Sequence, residues 1–138
     1  MQEARYSQEL LEAIYELGCL YLEMGYLIPA EKIFAGLAAI DDGKTPSKLG
    51  LGIIKLEEGL PQESSGFFRE EMQEGRPNSE RAKLGVVTSF LAAGEIARAY
   101  SMLEESVKET PDEELEPNLR SFRSALLVRC RDTSPAKT

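Results

Sequence analysis

The chain has 138 residues, 42% of them hydrophobic and 29% charged, which suits one folded domain and excludes a disordered or fibrous class. Its 24 acidic residues against 16 basic ones leave a net charge of -8, which repels nucleic acid and anionic lipid. No apolar run is long enough for membrane insertion, and MQEARYSQEL at the N-terminus lacks the basic and apolar parts of a secretory leader, so a cytoplasmic location is expected.

Residues 1–10 lead into a first helix that Ser7 is placed to cap. Apolar residues then recur at steps of three and four over 10–23, until Gly25 breaks the run. Pro29 lies in the first turn of a second helix that continues over 30–40 and ends at Asp41-Asp42-Gly43. Thr45-Pro46 reads as N-cap and first position of a third helix, 47–58, stopped by Gly59. Helices over 62–73, 80–93, 95–109 and 118–131 follow, separated by Gly75 with Pro77, by Gly94, and by Thr110-Pro111 with an acidic linker. Asn78 or Ser79 is the expected cap of the fifth, and residues 132–138 are expected to be a disordered tail.

These helices repeat. Gly25, Gly59 and Gly94 fall 34 and 35 residues apart. Each is followed five positions later by a small residue (Ala30, Ser64, Ala99) and four beyond that by a large apolar one (Phe34, Phe68, Leu103). In the best-formed unit, Gly18 and Ala30 let two helix backbones approach, while Ile14, Leu17, Tyr21 and Phe34 fill the space around them. A shared period of this length in helix-turn-helix units marks a solenoid.

The pattern resembles the tetratricopeptide repeat, over about residues 11–44, 45–79 and 80–113. The resemblance implies an all-α, right-handed α-solenoid of three repeats in a single domain, 1–131, closed by a capping helix at 117–131. That last helix carries Leu119, Phe122, Leu126 and Leu127 for the cap, with Arg120, Arg123 and Arg129 on its outer side facing the acidic linker. The second repeat is the least regular, because Lys48 and Lys55 stand where the family places core aromatics.

In this family the first helix of each pair lines a concave surface. Carried over by position, its inner face comprises Tyr15, Cys19 and Leu22, then Leu49, Ile53 and Leu56, then Leu84, Thr88 and Leu91. Nothing left over in the chain has the apolar residues to cover them, so they are expected to form an apolar trough for an amphipathic helix or extended apolar segment. Family members that clamp the carboxylate end of heat-shock chaperones use Lys, Asn and Arg at inward positions. Here Tyr15, Cys19 and Gly50 stand at the first of these and only Arg81 is cationic, so that use is not expected.

Small acidic chains of three such repeats and a terminal helix are similar to chaperones and accessory proteins of bacterial type III secretion. LGCLYLEMGYLIPAEKIFAGLAAI looks most like the needle-subunit chaperone and the small export accessory protein. The resemblance implies that a secreted needle or translocator subunit is held in the groove, with or without a small co-chaperone, and that a homodimer is compatible with the fold. The competing role is a scaffold joining folded partners.

Catalysis is not expected. The chain has no histidine, Cys19 and Cys130 stand far apart, and the carboxylate pairs Glu57-Glu58 and Glu70-Glu71 point apart around their helices. No metal or other cofactor is implied, and the two thiols read as small packed hydrophobes.

Overall fold

The computed structural model describes residues 6–73 and 78–133, all-α and without a strand among them. The helices are α1 (Gln8–Glu23), α2 (Leu27–Ile40), α3 (Ser47–Glu57), α4 (Pro61–Glu71), α5 (Ser79–Ala92), α6 (Ile96–Glu109) and α7 (Pro117–Thr133), with a 3-10 turn at Asp112–Glu114. Helices α1 to α6 pair in chain order as three hairpins, and each hairpin packs on the next through α2 with α3 and α4 with α5.

The same chemistry ends the first helix of every hairpin. Gly25, Gly59 and Gly94 have φ of 82°, 77° and 80°, a left-handed conformation that side chains disfavour. The residue after each glycine returns its N–H to the preceding helix: Tyr26 to the Tyr21 carbonyl (2.9 Å), Leu60 to Lys55 (2.8 Å) and Glu95 to Phe90 (2.8 Å). One turn geometry therefore recurs with the sequence period.

At the start of α1, Ser7 Oγ accepts from the Leu10 N–H at 3.1 Å, the expected cap. The start of α3 departs from expectation: Pro46 is its cap residue, and the Thr45 hydroxyl donates to Asp41 Oδ2 instead. The chain reverses there through two left-handed residues, Asp42 and Gly43, which turns the Asp41 carboxylate onto the Gly43 and Thr45 N–H groups at 3.0 and 3.2 Å. Asn78 caps α5 by position without a side-chain bond, and Ser79 Oγ donates to the Met72 carbonyl. Gly75, Pro77 and residues 134–138 of the expected tail lie outside the described residues.

Packing follows the repeat. Ala30, Ser64 and Ala99 are fully buried where the helices of each hairpin cross. The Phe34 ring lies between Gly18 of its own hairpin and Gly50 of the next, and the Phe68 ring between Gly52 and Gly85. In the third hairpin Val87 takes the place of Gly18 and Gly52, and Leu103 takes the place of the phenylalanines, so a larger residue faces a smaller one. The lysines of the second repeat are accommodated at its edge. Lys55 Nζ lies 3.2 to 3.8 Å from Glu58, Glu31 and Glu63, tying α3 to its flanking helices, and Lys48 pairs with Glu70.

Helix α7 closes the C-terminal end: Leu115, Leu119, Leu126 and Cys130 join Leu84, Val87, Ala99 and Leu103 in one cluster, with Leu127 packed against it. Two expectations fail in this helix. Phe122 is largely exposed, and Arg123 is not on the outer side but 1% exposed. Its guanidinium donates to the Ser106 carbonyl and Oγ, both at 3.0 Å, and to Asp112 Oδ1 at 2.8 Å. Asp112 does belong to the acidic linker, but Arg123 reaches it from inside the α6–α7 interface. A buried guanidinium requires such partners.

Candidate partner groove

Successive first helices touch, α1 with α3, α3 with α5 and α5 with α7, and make the inner layer of the stack. Because the hairpins repeat at 34 and 35 residues, Cys19, Ile53 and Thr88 stand at one register of α1, α3 and α5, and Leu22, Leu56 and Leu91 stand one turn on. All six are at least partly accessible, Ile53 most at 40%. Thr88 Oγ1 donates to the Leu84 carbonyl at 2.9 Å, so its hydroxyl is satisfied within the helix.

At the remaining expected register two of the three residues are buried. Leu49, 4% exposed, belongs to the cluster of Phe68, Ala82 and Val86, and Leu84, fully buried, belongs to that of Leu103, Leu115 and Leu119. Tyr15 is half-buried, its ring tilted against Phe34 at 5.5 Å. Each of these side chains leans along the stack and is covered by the next inner helix or, for Leu84, by α7. The cover comes from neighbouring repeats and not from the leftover termini, so Leu49 and Leu84 are not accessible to a partner.

Tyr15 and Cys19 meet on α1 as two uncharged groups. Burial, and then the hydrogen bond to the Cys19 thiol, pushes the Tyr15 hydroxyl far above its ordinary value, and burial also pushes the Cys19 thiol up. A protonated thiol is a packing group and not a nucleophile. Arg81 of α5 acts on Tyr15 in the opposite sense. Its guanidinium is 3.6 Å from Glu116 Oε2, so the cation expected at an inward position is paired.

A second apolar surface lies at the N-terminal end. Leu10, Leu17, Leu20, Met24 and Ile28 are exposed there, although Leu17 was expected inside the first hairpin. Its counterparts Leu51 and Val86 are buried against the preceding repeat. Among the described residues no helix packs on that side of Leu17. The seven-residue spacing of Leu10, Leu17 and Met24 is the signal for this face that the period alone passes over.

Among the described residues no group of His, Cys, Asp and Glu is placed to hold a metal ion, and no helix is long and apolar enough to cross a membrane. No protein-family model and no curated protein matches the chain. Two solved structures do match in fold. PcrH from Pseudomonas aeruginosa is 23% identical, over 91% of this chain and 95% of that one, with a TM-score of 0.73. The Yersinia enterocolitica type III secretion chaperone SycD, solved in complex with a peptide of the translocator YopD, is 21% identical over 90% and 94%, with a TM-score of 0.71. The chain therefore has the tetratricopeptide-like helical fold of these proteins, from its first hairpin through its capping helix.

Proposed function

We propose that this protein is a cytoplasmic chaperone of type III secretion, holding an apolar or amphipathic segment of a translocator or needle subunit in its concave groove before export. One observation carries the reading: Cys19, Ile53 and Thr88, with Leu22, Leu56 and Leu91, present an uncharged strip along three touching helices. SycD, of the same fold, is a secretion chaperone in complex with a translocator peptide. Each apolar anchor buried from a client contributes about 1.5 to 3 kcal/mol, so several are needed to exceed an association cost of about 4 to 15 kcal/mol. Such a complex is specific and releasable.

Coexpression tests the groove. Ile53→Glu with Leu91→Glu places charge on accessible positions, and a client that stays soluble with the parent chain should then aggregate or be degraded. A client that remains soluble and bound, with the variant folded by circular dichroism, would refute the groove and favour a scaffold.

Self-association is a second element of the proposal. The α1 end of the stack carries an exposed apolar stripe at heptad spacing, the pattern by which two helices pack side by side. Equilibrium sedimentation reads it directly.

A further inference from the structure

The second helices α4 and α6 lie on the side of the stack away from the inner layer. Between α4, the end of α5 and the start of α6 opens a cavity of about 160 Å³ whose lining includes Ser65, Arg69, Phe90, Glu95 and Arg98. Phe90 is its floor. The guanidinium carbons of Arg69 and Arg98 lie 5.7 and 4.7 Å from the centre of that one ring.

Two cations on one aromatic ring are unusual in a chain of net charge -8. Several other basic side chains are matched to carboxylates: Lys48 to Glu70, Lys83 to Glu109, Arg81 to Glu116 and Arg123 to Asp112. At the cavity the matching is incomplete. Arg98 Nη1 reaches Glu95 Oε1 at 2.7 Å, whereas Arg69 donates its Nε to Ser65 Oγ at 3.0 Å and has no carboxylate partner among the described residues. The ring attracts both guanidinium groups and aligns them, but their mutual repulsion remains. A planar oxyanion between them removes that repulsion and takes the paired N–H donors of an arginine fork. Beside it, Phe90, Ala97 and Met102 border a second recess with Arg98, Ser101 and Glu105, an apolar shelf with the Glu105 carboxylate at its edge.

We infer that this outer cleft binds an acidic side chain of a partner polypeptide, its carboxylate between Arg69 and Arg98 and an adjoining apolar residue against Phe90 and Met102. The cleft and the proposed groove share no lining residue, so the two can be filled together. It does not depend on what the groove holds.

The probe is a blocked Leu-Glu-Leu-Glu tetrapeptide, titrated into the full chain with arginine Nε–H and Phe ring signals followed by NMR. Its Leu-Gln-Leu-Gln counterpart and inorganic phosphate are run in parallel. The Glu peptide should shift Arg69, Arg98 and Phe90 saturably while the Gln peptide does not. Arg69→Ala and Arg98→Ala should each weaken binding at least about fivefold, and Arg69→Lys should recover little of it, since lysine keeps the charge but not the fork. Both arginines are exposed, so these variants keep the fold. The Ile53→Glu, Leu91→Glu chain should bind the peptide unchanged. Equal shifts with the Gln peptide, full binding by the double alanine variant, or a response to phosphate with none to the Glu peptide would each overturn the assignment.

Discussion

The Phe34 ring occupies the space that a side chain on Gly50 would need: a Cβ there would stand 2.5 Å from Phe34 Cε2. Gly18 faces the same ring from the other side at 2.8 Å. One aromatic residue thus joins two hairpins, and both contacts require the absence of a methyl group.

Substituting this glycine should therefore act opposite to substituting one in open space. Gly50→Ala forces Phe34 from its place and should cost about 1 to 3 kcal/mol, the usual penalty of overpacking. Gly36, within α2, has nothing within 4 Å of its would-be Cβ, so Gly36→Ala should stabilise by about 0.5 to 1 kcal/mol through helix propensity. Urea denaturation of the pair checks both signs.

Arg123 holds the capping helix through three charge-assisted hydrogen bonds. Removing it with Arg123→Ala should cost about 3 kcal/mol, limited because the Asp112 left behind is largely exposed to water. Arg129, exposed on the same helix, serves as the comparison: Arg129→Ala should change stability by less than about 1 kcal/mol. Amide exchange should show α7 losing protection first in the Arg123 variant, because the Leu84 cluster then opens from its end.

Stability should fall on the alkaline side. Tyr15, Cys19 and Cys130 all titrate above their ordinary values of 10.0, 9.0 and 9.0 in the folded chain, with burial the leading cause in each. The folded chain keeps protons that the unfolded chain releases. Their contribution is therefore whole below pH about 9 and is lost as pH rises through the folded values. Lys55, raised by its hydrogen bonds to Glu58 and then Glu31, has the same sign. Tyr15→Phe should retain a larger share of its neutral-pH stability at pH about 10.5 than the parent chain, as measured by denaturant midpoints.

If copies associate through the exposed α1 stripe, Leu17→Glu should yield monomers in equilibrium sedimentation. Its stability should change by about 0.5 kcal/mol or less, because the side chain is already 45% exposed. The same substitution at its buried counterpart, Leu51→Glu, should unfold the domain, because it buries a carboxylate in the Phe34 cluster.

Much of the architecture is local and was legible in the residues. The turn glycines, the small residues at the crossings and the phenylalanines beyond them act within one hairpin, and their 34- and 35-residue intervals define helices, turns and stacking order. What covers a given face is not local. Leu17, Leu51 and Val86 share one position, yet Leu17 is open because no described helix packs on that side of it. Tyr15, Leu49 and Leu84 share another, and they are covered to differing degrees by the helix that follows. Arg123 looks like a solvated charge on α7 until Ser106 and Asp112 meet it inside the α6–α7 interface. Periodicity determines which side of a helix a residue lies on; only the stacked neighbours, distant in the chain, decide whether that side meets protein, water or a partner.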